Sequence, residues 1–144
     1  GSDIVIYFGV PTAHTNDPMR AASAALEIRE IIRDAKVPRL MEGISEPETE
    51  ADGKPKIYSQ IGINLGPTFV AEIGHPRGRR EFNVLGDTVN TTARLMSYAG
   101  VNEILVSDAV KMEIEEKYDG ESIGEVSLKG KGAPMALYKL GRSK

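Results

Sequence analysis

The chain has 144 residues, of which 40% are hydrophobic and 27% charged, the proportions of a globular domain able to build one core. Its formal net charge of -3 argues against a nucleic-acid binder that relies on a basic surface. The absence of cysteine excludes disulfides and thiolate zinc sites, and no apolar run approaches the roughly 18 to 20 residues needed to cross a bilayer. A cytoplasmic setting is expected, within a parent protein that can itself be membrane-anchored. Gly1-Ser2 matches a common scar of tag removal, so the sequence is expected to begin inside a larger domain.

Ile4-Val5-Ile6-Tyr7-Phe8 is a β-branched and aromatic run ended by Gly9 and Pro11, which predicts a strand. Its unbroken apolar character predicts cover on both faces. Asp17 at the cap, with Pro18 at the first helical position, predicts a helix to about Lys36. Ala21, Ala25, Ile28 and Ile32 would share one face of it. From Pro38 to Lys56 periodicity disappears, and Glu46, Glu48, Glu50 and Asp52 accompany Pro47 and Pro55. Residues 38–56 are therefore expected to form a flexible, exposed acidic loop.

In the stretch Ile57 to Leu65, Ile61, Ile63 and Leu65 alternate with Gln60, Gly62 and Asn64, as in a strand. Gly66-Pro67 makes a bend, Thr68-Phe69-Val70 continues, and Glu81 to Leu85 pairs back as an antiparallel hairpin across the basic turn Gly74 to Arg80. A helix over Thr88 to Ala99 follows Gly86-Asp87, with Gly100 as its C-cap. Glu103 to Val106 predicts a strand, and Ser107 caps a short helix to about Tyr118. Two closing strands, near Glu125-Leu128 and Met135-Leu140, flank the turn Lys129-Gly130-Lys131-Gly132. This mixture predicts a single α+β domain with helices on one face of the sheet.

Chemistry concentrates in the segment from Arg79 to Arg94, where a strand meets a glycine turn and passes directly into a helix. Such a turn aims free backbone N–H groups and the positive helix end at one point, a place for phosphate. Asn90 and Arg94, four residues apart, share a helical face and can hold a ribose oxygen and a phosphate together. On these grounds alone a plain helix cap and a solvated arginine are the more usual readings of such residues.

Gly86-Asp87-Thr88-Val89-Asn90, followed by Ala93-Arg94-Leu95, resembles the signature of class III adenylate and guanylate cyclases. The resemblance extends to Phe8-Gly9-Val10-Pro11 with His14 and Arg20-Ala21-Ala22, and to Ile61-Gly62-Ile63-Asn64-Leu65-Gly66-Pro67 with Ile73-Gly74. It continues through Ile104-Leu105-Val106-Ser107 and Leu128-Lys129-Gly130-Lys131-Gly132. The fold it implies is the ferredoxin-like cyclase fold, mostly antiparallel and here lacking its first strand and helices. By the same resemblance Asn90 would orient the ribose, Arg94 would stabilise charge on the phosphate, and Lys129 would contact the distal phosphates. Asn83 stands where family members help select the purine. Adenylate cyclases often carry Asp or Thr there and guanylate cyclases often Cys; an amide can face either base.

The family holds two divalent ions, Mg²⁺ or Mn²⁺, on two carboxylates. One would lie upstream of Gly1, and the register of the other falls on Ser2, whose hydroxyl cannot replace an anionic ligand for a hard dication. Asp3 is one residue out of register, on the opposite strand face, so no metal ligand is assigned. The resemblance implies an adenylate cyclase domain that acts on ATP as a homodimer, each site shared between two subunits. A guanylate cyclase and a non-catalytic regulatory or dimerisation module are the alternatives, and the polypeptide by itself is expected to be inactive.

Overall fold

The computed structural model describes residues 3–10, 12–35, 38–39, 44–45, 57–74, 80–130 and 132–144. For 38–39, 44–45, 69, 71–74 and 80–83 only the backbone path is described. In chain order the elements are α1 (Asp17–Arg33), β1 (Pro38–Arg39), β2 (Ile44–Ser45), β3 (Gln60–Ile63), β4 (Phe69–Gly74) and β5 (Arg80–Leu85). There follow α2 (Asp87–Tyr98), β6 (Glu103–Ser107), α3 (Asp108–Ile114), β7 (Tyr118–Val126) and β8 (Met135–Ser143).

The main sheet has the order β3-β6-β8-β7, parallel between β3 and β6 and antiparallel in its other pairings. β4 and β5 form the expected antiparallel ribbon, with Phe69 opposite Leu85 and Gly74 opposite Arg80. The tip of that hairpin, residues 75–79, lies outside the described residues. The α+β class and the largely antiparallel sheet are as expected.

The helices divide between the two faces of the sheet, where one face had been expected. Ile104 and Val106 of β6 join Ile63, Leu140, Ala22 and Ala25 of α1, and Val110 and Ile114 of α3. Leu105, between them and so on the opposite face, packs with Leu95 and Ala99 at α2, Leu128 and Leu137. A central strand covered on both sides reads as a continuous apolar run, as Ile104-Leu105-Val106 does.

Gly62 explains how α2 comes so near the sheet. A methyl group there would lie 2.6 Å from the Met96 nitrogen, 2.8 Å from the Thr92 carbonyl oxygen and 2.8 Å from Leu95 Cβ. The missing side chain lets the helix backbone rest on the strand.

Several local expectations are corrected. Ile4 to Phe8 is not a strand: residues 3–7 have no ladder partner among the described residues, and Ile4 is 83% exposed instead of covered. Strand propensity is realised only when another strand supplies the hydrogen bonds. Asn16, not Asp17, takes the N-cap position of α1; the Asp17 carboxylate instead accepts from the His14 N–H at 2.7 Å and from Arg20 Nη1 at 2.9 Å. The buried face of α1 runs through Ala22 and Ala25 with Met19 and Leu26 beside them, so Ile28 and Ile32 lie off its centre. α2 ends at Ala99 in an extended conformation, without a left-handed glycine at Gly100.

Ser107 does occupy the N-cap position of α3, but its buried hydroxyl makes no capping bond, and the helix stops at Ile114 rather than Tyr118. β7 begins at Tyr118, well before Glu125. Its sequence is polar because it is an exposed edge strand, held by pairing with β8 rather than by burial. Within 38–56, Pro38 pairs with Ser45 and Arg39 with Ile44; the acidic remainder lies outside the described residues except for the bridge itself.

Candidate active site

β5 runs into Gly86, whose φ of 132° and ψ of 173° suit glycine, and α2 begins at the next residue. Two side-chain hydrogen bonds fasten this helix start to the chain beyond β3. Thr88 Oγ1 donates to the Pro67 carbonyl at 2.7 Å, and Asn64 Nδ2 donates to the Thr88 carbonyl at 3.2 Å. Further along, Thr91 and Leu95 are buried, which leaves Asn90 exposed and Arg94 half-buried on the helix flank. Four residues of helix separate them by about 6 Å along the axis.

Leu128 joins Leu95 in one apolar cluster, so the turn after Leu128 is drawn against α2. In that turn Gly130 has φ 81°, and a methyl group added to it would come 2.8 Å from Arg94 Nη2 and 3.0 Å from Cζ. The guanidinium therefore lies directly on the backbone beside Lys129, which is exposed. Neither Arg94 nor Lys129 has an ion pair or hydrogen bond with another described residue. Arg94 thus lies beside the turn that carries Lys129, and neither cation has a matching anion among those residues, an arrangement suited to a polyanionic ligand.

The helix start is the weaker anion locus. Asp87 already puts a carboxylate in the first turn, where it neutralises part of the positive helix end. Arg94 lies seven residues on, about 10 Å further along the axis.

Asn83 sits in β5 with its backbone opposite Ala71, three residues before Gly86; its side chain is outside the description. Ser2 also lies outside the described residues, and Asp3 is exposed. No group of three or more His, Asp or Glu gathers among the described residues in a way that could hold a metal. The described residues therefore offer no such cluster for the two divalent ions implied by the resemblance.

A cavity of about 220 Å³ opens elsewhere, between α3, β7 and β8, and none of the four proposed site residues lines it. Its Lys111 is paired with Glu115 at 2.8 Å, which raises the lysine pKa and lowers that of the glutamate. Among the described residues no helix is long and apolar enough to cross a membrane.

Sequence reading treated Gly130 as a turn residue and Gly62 as the polar-face partner in an alternating strand. Their role in close approach is invisible locally, although a lone glycine inside a strand pattern is itself a signal of such contact. The anchoring of α2 by Asn64 and Thr88 is likewise a contact between distant parts of the chain that no local pattern signals.

The family model for the adenylate and guanylate cyclase catalytic domain matches residues 1–141. An adenylate cyclase of Mycobacterium tuberculosis is 27% identical over 143 residues, which cover 99% of this chain and 28% of that protein. The guanylate cyclase domain of RhGC from Catenaria anguillulae, solved in complex with GTP, superimposes with a TM-score of 0.75 at 27% identity. The match covers 95% of this chain and 66% of that one. The adenylyl cyclase CyaB from P. aeruginosa gives a TM-score of 0.74 at 25% identity over the same shares. The chain thus spans little more than a quarter of that curated relative and about two thirds of each solved domain. A family match running from residue 1 to residue 141, over a strand–glycine–helix turn with its cationic flank, makes this chain a member of the adenylate and guanylate cyclase catalytic domain family.

Proposed function

We propose that the chain is the nucleotide-binding part of an adenylate cyclase, which converts ATP to 3′,5′-cyclic AMP and pyrophosphate. The observation that carries this reading is the Arg94 guanidinium seated on the Lys129-Gly130 turn, with neither cation matched by an anion among the described residues. In the reaction the ribose 3′-hydroxyl loses its proton, its oxygen bonds to the α-phosphorus, and the bond to the β-phosphate oxygen breaks. Negative charge grows on the α-phosphate oxygens and on the departing pyrophosphate. Arg94 would meet the first and Lys129 the second, while Asn90 would hold the ribose so that the attacking oxygen is aligned. Asn83 would face the purine edge.

The two divalent ions known for this chemistry would bind carboxylates other than those described, in a homodimer whose second subunit completes each site. ATP as substrate, rather than GTP, is supported by the absence of cysteine. The relatives themselves include enzymes named for either nucleotide.

The full-length protein is incubated separately with ATP and GTP plus Mn²⁺. Cyclic AMP formation, reduced on the order of 10²- to 10³-fold by Arg94→Ala, is the expected result. Cyclic GMP would keep the mechanism and reverse the base assignment. No product from either nucleotide, with dimer formation intact, would move the protein to the class of regulatory modules.

A further inference from the structure

We propose that Gly130 is a positioning residue for Arg94, its missing side chain being the space in which the guanidinium is seated. This inference rests on the catalytic reading of Arg94 above. Nothing along the local sequence joins the two residues; they meet because Leu128 and Leu95 pack in the same cluster. A side chain at position 130 would come 2.8 Å from Nη2, closer than a Cβ atom tolerates, with tight contacts of 3.0 Å to Cζ and 3.3 Å to Nε. The atoms it would meet are the far end of a long side chain, not backbone. Relief therefore comes from the guanidinium swinging away, which costs little stability and displaces the charge that Arg94 brings to the phosphate.

The fold supplies its own control. Gly124 in β7 has the same φ of 81°, and a methyl group there would meet nothing within 4 Å. Alanine at 124 thus carries the backbone strain of a positive φ alone. Alanine at 130 carries that strain together with the collision with Arg94.

Gly130→Ala, Gly124→Ala, Arg94→Ala and the double variant Gly130→Ala with Arg94→Ala are made in the full-length protein. Cyclic nucleotide formation and thermal unfolding are measured on each. Gly130→Ala is expected to lower kcat by roughly 10- to 100-fold with KM nearly unchanged, since misplacing a group that acts on developing charge affects turnover. Its unfolding midpoint should fall no further than that of Gly124→Ala, which keeps its kcat. In the Arg94→Ala background, adding Gly130→Ala should change kcat by less than about 2-fold.

Equal kcat for the two single glycine variants would overturn the proposal. So would a loss from Gly130→Ala that is as large without Arg94 as with it. Full activity of Arg94→Ala, or no product from the unmodified protein, would overturn the catalytic reading itself and this proposal with it. That failure is read without any change at position 130.

Discussion

Glu103 shows how a single carboxylate can close two connections. Oε1 accepts from the Gly100 N–H at 2.5 Å, just beyond the end of α2, and Oε2 lies 3.1 Å from Lys139 Nζ on β8. The backbone hydrogen bond from Gly100 is the main cause that holds its pKa below the ordinary 4.5; burial opposes it, and the hydrogen bond and charge of Lys139 add to the lowering. The unfolded chain lacks both partners. Stability from this group is therefore fully present above about pH 4.5 and is lost as the pH falls through the lower folded value. Glu103→Gln should lower the thermal midpoint at pH 7 by the equivalent of roughly 1 kcal/mol, modest because the side chain is partly exposed. The variant should then lose less than the parent between about pH 5 and about pH 3. Parallel melting curves for the two proteins across that range would contradict this account.

Among the elements, α2 carries two of the four proposed site residues, and its position depends on the strand beneath it. Gly62 of β3 admits the helix backbone at Thr92 and Met96, and Thr88 and Asn64 hold its first turn. Unlike the contact at Gly130, the atoms facing Gly62 are mostly backbone, which cannot swing aside. Gly62→Ala is therefore expected to destabilise the domain by about 1 to 3 kcal/mol, as overpacking does, and to be read as a lower urea midpoint. A midpoint equal to that of the parent would show that helix and strand separate freely. On the other sheet face Arg29 of α1 donates to the carbonyls of Leu140 at 3.2 Å and Gly141 at 2.5 Å, which ties the helix to the end of β8.

Legibility differed between these elements for physical reasons. α2 and β6 were plain in the sequence because glycine punctuation, helical spacing and an unbroken apolar run are local signals. β7 was largely hidden, since Tyr118 to Val126 is an edge strand whose side chains face water and whose hydrogen bonds come from β8. The 3–8 segment erred the other way: its residues favour a strand, but a strand exists only through its neighbour.

At the scale of the whole molecule, cations and carboxylates are unequally provided. Arg94 lies against the Lys129-Gly130 turn, whereas the described residues gather no group of three or more His, Asp or Glu that could hold a metal ion. We propose that the 144-residue polypeptide, which spans about two thirds of each solved domain it resembles, gives no cyclic product above background from ATP or GTP with Mn²⁺; measurable turnover would refute this.

The sequence by itself determined the class of the domain and the shared flank of Asn90 and Arg94. Their spacing follows from 3.6 residues per turn, and the strand–Gly86–helix turn from glycine's backbone freedom. Only the tertiary structure decided that α2 lies on the face opposite α1 and α3, and that Arg94 rests on Gly130. Those placements come from close packing across the sheet, of Leu95, Leu105, Leu128 and Leu137 together, and from the room left where glycine has no side chain.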